Sequence, residues 1–133
     1  MIEESEPQFL TREIVDAIHE EQISQHGGLR GLRSESALDS AIAQAKNVFY
    51  YGFGDLYEVA AAYAFHLAES QAYFDGNKRT GVQAALVFLE GHDVDTRLLP
   101  ERATYDAMIK IAKHELDRPG LAAFFRDVLK RPT

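Results

Sequence analysis

The chain has no cysteine, no tryptophan and only four prolines among its 133 residues. Without cysteine there is no disulfide framework, no thiolate metal site and no thiol nucleophile, and the composition suits a reducing compartment, so a cytoplasmic location is expected. No apolar run approaches the roughly 18 residues of a membrane span, and the opening MIEESEPQFL is acidic where a secretory signal is basic, so no membrane association is expected. Positive charge is also scarce: fourteen basic residues against twenty-one acidic ones leave a net charge of −7. Such a surface repels the phosphate backbone at most approaches, which argues against direct binding of nucleic acid.

What is present suffices for one core. The 46% apolar content fits a single domain over residues 1–133, with Met1 to Gln8 as a loose acidic lead-in. Leu10, Ile14, Ile18 and Ile23 recur at near-helical spacing beside Thr11, an N-cap residue type, and Gly27-Gly28 closes that helix. Gly27 to Arg33 reads as a compact turn. Ser34 or Ser36 caps a second helix through Leu38, Ile42 and Ala45, which is expected to stop before Phe49. The stretch Asn47 to Asp55 holds four aromatics and two glycines and reads as an extended flap or β-hairpin containing Phe49, Tyr50, Tyr51, Gly52 and Phe53. Leu56 to Ser70 is alanine-rich and free of breakers, which predicts a buried central helix. Another helix starts at Asn77 or Lys78 and ends at Gly91, and His92 to Pro100 is a connection with a brief extended piece. Two more helices follow, one from Pro100 or Glu101 and one opened by Pro119. The expected fold is all-α, a bundle of about six helices with a short flap before the central one.

The informative run is Gln71-Ala72-Tyr73-Phe74-Asp75-Gly76-Asn77-Lys78-Arg79-Thr80, between two predicted helices. Gly76 and Asn77 are residue types that tolerate left-handed backbone angles, so their N–H groups can converge as an anion nest at the positive end of the following helix. Lys78 and Arg79 add full charge, and the Arg79 fork matches phosphate oxygens. A single carboxylate beside a phosphate site points to Mg²⁺, with Asp75 as its ligand. The plainer reading stands beside this one: D-G-N is an ordinary turn sequence, and Lys-Arg at a helix start is often a solvated face.

The run resembles the signature of the Fic/Doc family, H-P/x-F-x-D/E-G/A-N-K/G-R, residue by residue from Asp75 through Arg79, with Tyr73 in the place of the usual Phe. The Gly27-Gly28-Leu29 turn and Asp55-Leu56-Tyr57-Glu58 resemble its Doc branch, the toxins of Phd–Doc toxin–antitoxin modules, and the resemblance extends over roughly Phe9 to Leu129. It implies a six-helix fold and ATP-dependent transfer onto a protein hydroxyl. Most Fic proteins move AMP, whereas the Doc branch moves the terminal phosphate onto elongation factor Tu and halts translation. The resemblance also implies that Asp75 holds magnesium, that the Gly76-Asn77 backbone forms the anion nest, and that Lys78 and Arg79 bind phosphate. By the same resemblance the flap aligns the target peptide by strand addition. Many Fic proteins carry an inhibitory helix with the pattern S/T-x-x-x-E-G/N. No such segment is suitably placed here, and in the Doc branch a Phd-like antitoxin supplies the restraint through a disordered tail that folds into a groove on the toxin.

Where the family has its catalytic histidine this sequence has Gln71, followed by Ala72. A glutamine amide can orient a hydroxyl but cannot take its proton. Losing a general base costs on the order of 10²–10⁴-fold in rate. Phosphoryl transfer through a loose transition state depends less on a base than acyl transfer does. Three readings of Gln71 are open: a natural divergence with reduced or altered chemistry, an engineered inactivation, or a base relocated to His66. For the whole chain two other functions stand beside the toxin: a silent Fic-like module that binds nucleotide or protein without chemistry, and a helical interaction protein whose D-G-N-K-R turn is structural and binds no nucleotide. His19, His26, His92 and His114 have no motif around them and read as surface or turn residues, and Glu3, Glu4 and Glu6 as a solvated end.

Overall fold

The computed structural model describes residues 6–130. Within them the chain forms α1 (Arg12–His26), α2 (Glu35–Gly52), α3 (Leu56–Ser70), α4 (Asn77–Glu90), α5 (Glu101–Ala112) and α6 (Arg118–Leu129), and no strand. No helix among the described residues is long and apolar enough to cross a membrane. The starts of four helices follow from side chains that accept an otherwise unpaired N–H. Thr11 accepts from Ile14, Ser34 from Ala37 and Asp117 from Gly120, while Asp55 and Glu58 form a reciprocal capping box.

Helix α3 is the axis of the bundle and packs against α2, α4 and α6. Val59 through Ala64 are fully buried, so it has no solvent face along that stretch. Its alanines let α4 approach closely. At Gly81 of α4 a Cβ atom would lie 2.6 Å from the Ala64 carbonyl oxygen, too near for any side chain. Tyr63, also on α3, is buried with its hydroxyl accepting from the Leu10 N–H at 2.9 Å. Burial pushes that phenol up to about 12. The Gln8 N–H donates to His92 Nε2 at 2.9 Å, so the end of the expected lead-in is tied down at two points. The rest of the lead-in, including Glu3 and Glu4, lies outside the described residues, while Glu6 is exposed and hydrogen-bonds the Tyr50 hydroxyl.

Two segments differ from the sequence-based expectation. Helix α2 does not stop before Phe49 but runs on to Gly52, so the expected hairpin is absent. Val48 continues the buried stripe of Leu38, Ala41 and Ala45, and the Phe49 ring meets Phe9 edge-on at 5.9 Å. That packing outweighs the β preference of the aromatic run. The helix ends at Phe53 in a left-handed conformation, φ 54°, with the Gly54 N–H returning to the Val48 carbonyl. The connection from His92 to Pro100 contains a 3₁₀ turn, Thr96–Leu98, in place of an extended piece, because the Asp95 carboxylate accepts from the Arg97 N–H and caps it.

The Gly81 contact yields a test. Gly81→Ala should destabilise the fold by about 1–3 kcal/mol in urea denaturation, although alanine is the better helix former by about 1 kcal/mol. A variant as stable as the parent would mean that the helices are not held at this separation.

Candidate functional site

The run singled out in the sequence forms the connection from α3 to α4. Its first residue, Gln71, takes left-handed angles (φ 53°) and ends α3. Ala72 and Tyr73 turn inward and are buried, and Phe74 is exposed. The turn between α1 and α2 holds this segment. The Arg33 and Ser34 N–H groups both donate to the Ala72 carbonyl, at 2.7 and 3.0 Å, and the Phe74 N–H donates to the Gly31 carbonyl. The Arg33 Nε donates to the Gln71 carbonyl at 3.0 Å.

Asn77 closes the connection from the other side. Its side chain is buried, with Oδ1 accepting from the Tyr73 N–H at 3.0 Å and Nδ2 donating to the Tyr73 carbonyl at 2.9 Å. The Asn77 amide is therefore occupied by the loop, and only its main chain faces the anion role expected of it. Gly76 stands at the N-cap with φ 80°, and no side chain caps α4. The Thr80 N–H returns to the Gly76 carbonyl at 2.9 Å, whereas those of Asn77, Lys78 and Arg79 precede the first intrahelical bond. This is an open helix N-terminus with its positive dipole end unopposed.

Asp75 is half-buried beside it. One carboxylate oxygen accepts from the Leu29 N–H at 2.7 Å, which fixes the group, and the other oxygen has no donor among the described residues. Gly28 makes this possible, since its φ is 119° and a Cβ there would sit 3.0 Å from the Asp75 Cβ. Lys78 and Arg79 are exposed and form no ion pair among the described residues. Both border a cleft of about 290 Å³ between α1, α4 and α5, whose walls include Gln22, Val82, Leu86 and Met108. No group of three or more carboxylate or histidine side chains suited to a metal occurs among the described residues. A cation here would have Asp75 as its protein ligand and would need oxygens from a ligand and from water, the coordination magnesium usually keeps.

Gln71 is exposed, and its amide donates back to the Ala68 carbonyl at 3.2 Å, within its own helix end. His66 makes no hydrogen bond to any motif residue. Its Nε2 is buried without a hydrogen-bond partner among the described residues, and its ring meets Phe65 edge-on. Of the flap residues, Tyr51 and Phe53 are 81% and 90% exposed, Tyr50 is partly exposed and Phe49 packs on Phe9. None is hydrogen-bonded to the motif loop.

The sequence reading missed His19. It is 4% exposed, stacks on the Tyr73 ring (3.7 Å between centroids, 7° between planes), and its Nε2 lies 2.8 Å from the Asp75 carbonyl oxygen. The signal was available, because Val15, His19, Gln22 and Ile23 form one buried face of α1 at helical spacing. His92 lies in the turn after α4, as the sequence suggests, with its Nδ1 2.7 Å from the Phe88 carbonyl. Tyr73, where the family pattern has Phe, donates its hydroxyl to Asp16 Oδ1 at 2.6 Å. Burial first, then this bond to Asp16, raises the pKa of the phenol.

Two outcomes follow from these contacts. Asn77→Ala strands both main-chain groups of Tyr73 in buried surroundings, at about 1–3 kcal/mol each, so urea denaturation should show a loss of about 2–5 kcal/mol. For His66, burial and then the charge of Arg118 lower the pKa from 6.5. The unfolded chain thus takes up a proton that the folded one refuses. The stabilising contribution is complete above the unfolded value and is lost progressively as pH falls from about 6.5 toward the lower folded value. In His66→Leu the acid-side slope of stability should flatten, read from urea midpoints between about pH 7.5 and 5.

Residues 9–89 match the sequence profile of the Fic/DOC family. The chain is 33% identical over 116 residues to the protein kinase doc of Escherichia phage P1, an alignment covering 86% of this chain and 87% of that one. It is 34% identical over 101 residues to the toxin Doc of Mycolicibacterium smegmatis, covering 73% of this chain and 77% of that one. With the helical bundle and the motif loop as described, the chain belongs to the Fic/DOC family, on its Doc branch.

Proposed function

We propose that this protein is a Doc-like toxin of a toxin–antitoxin module that transfers the γ-phosphate of ATP to a hydroxyl of a protein target, elongation factor Tu, in the cytoplasm. The observation that carries the reading is the uncapped first turn of α4 beside a carboxylate fixed by the Leu29 N–H. The two together suit an anionic ligand carrying a divalent cation. Main-chain N–H groups of Asn77, Lys78 and Arg79 receive phosphate oxygens, and the Lys78 and Arg79 side chains offset the charge that spreads over the transferred group. Asp75 offers its free oxygen to magnesium, which when bound neutralises phosphate charge. Gln71 orients the target hydroxyl through its amide oxygen, and the proton leaves to a phosphoryl oxygen or to water.

Helix α2 runs through Gly52, so that segment presents helix and not a strand edge. The exposed rings of Tyr50, Tyr51 and Phe53 are suited to grip a target by aromatic contact instead. The apolar cleft bordered by Lys78 and Arg79 suits an amphipathic segment of a Phd-like antitoxin with acidic residues at its end.

One observation favours a second reading, a silent nucleotide-binding module: the Gln71 amide is turned back onto Ala68. Transfer of label from ATP marked at the γ or the α position to elongation factor Tu separates the two. The Gln71→His variant should move γ label faster than the parent by about 10²–10⁴-fold. Label from the α position would make the activity AMP transfer, and no label from either protein would leave the silent module.

A further inference from the structure

We infer that His19 is a positioning residue that sets the orientation of the Asp75–Gly76 peptide and so aims the Gly76 N–H at the anion. The inference rests on the reading of the α4 N-terminus as a phosphate site. A carbonyl can only accept, so the 2.8 Å contact to the Asp75 oxygen means that His19 Nε2 carries the proton. No peptide bond among the described residues is cis, and in a planar trans peptide the carbonyl and the following N–H point to opposite sides. Holding the Asp75 carbonyl toward α1 therefore turns the Gly76 N–H away from α1.

This peptide needs such a hold. Gly76 lacks the Cβ that would restrict its neighbouring torsions, and at φ 80° it has ready alternatives in which the peptide is flipped. The His19 ring is in turn fixed in plane by its stack on Tyr73, whose hydroxyl is bonded to Asp16, also on α1. A Cβ on Gly76 would lie 3.2 Å from Ile23 Cδ1 and 3.6 Å from the His19 ring, so the glycine sits directly against this face of α1. Asp75 is thus held twice and separately: its carboxylate by the Leu29 N–H and its carbonyl by His19. The first hold serves the cation and the second serves the phosphate. His19, buried on α1, acts through this peptide.

The test compares His19→Phe, which keeps a flat ring on Tyr73 and lacks the donor, with His19→Gln, whose amide nitrogen can replace Nε2. The readouts are the dissociation constant for Mg·ATP by calorimetry, the Gly76 amide resonance by NMR and the melting temperature. His19→Phe should weaken Mg·ATP by about ten- to a hundredfold and move the Gly76 resonance, with a fall in melting temperature of a few degrees from the stranded Asp75 carbonyl, and His19→Gln should restore the affinity and the resonance. Equal affinity and an unmoved resonance in His19→Phe, or a His19→Gln as impaired as His19→Phe, would overturn the inference. If the parent protein itself binds no Mg·ATP, the phosphate reading falls, and the inference that His19 aims the amide at an anion falls with it. The Gly76 resonance in ligand-free protein then still shows whether His19 sets the peptide. Should His19→Phe not fold, a slowly exchanging Nε2 proton on His19 in the parent supports the hold, and a rapidly exchanging one overturns it.

Discussion

The side chain of Asn77 bonds both main-chain groups of Tyr73, and the geometry of the candidate site depends on that closure. The connection between α3 and α4 must turn sharply, bury Ala72 and Tyr73, and still leave the next helix uncapped. Buried main-chain groups without partners would make such a loop costly. Asn77 satisfies two of them from inside the loop, and the α1–α2 turn satisfies Ala72 and Phe74 from outside. The N–H groups of the first turn of α4 stand outside these bonds.

Charge is distributed in keeping with this. The chain as a whole is acidic, yet its open helix end carries two cations that pair with no carboxylate among the described residues. Other arginines are engaged: Arg12 with Glu35, Asp39 and Asp16, Arg126 with Asp55 and Glu58, and Arg30 with Glu20. An anion approaching the protein meets repulsion over most of the surface and attraction near Lys78 and Arg79. Net charge thus disfavours a polyanion with many contacts while permitting one compact phosphate group.

Much of the helical frame was legible because the signals were local. Thr11, Ser34 and Pro119 each sit at a helix start, and their chemistry does not depend on distant partners. The end of α2 was illegible for the opposite reason, since Phe49 is kept helical by Phe9, forty residues away in sequence. The motif was readable as a constellation, from Asp75 to Arg79, but the division of labour within Asn77 was not. One residue type can offer its side chain to a loop or to a ligand, and sequence does not say which. His19 was readable in principle from its place on the buried face of α1, but a search for motifs around histidines passes over a histidine that acts on a motif from another helix.

The backbone at Gln71 is held independently of its side chain. Arg33 bonds the Gln71 carbonyl, and the neighbouring Ala72 carbonyl takes two N–H donors, so the left-handed conformation, which costs of order 1 kcal/mol for a residue with a Cβ, is imposed from outside. The Gln71 side chain contributes a single bond of 3.2 Å to its own helix. Exchange of this side chain therefore alters what can accept a proton without altering the loop that presents Asp75 or the helix end that follows. Among the described residues, the bonds that hold Asp75 and the loop before α4 include none from the Gln71 side chain.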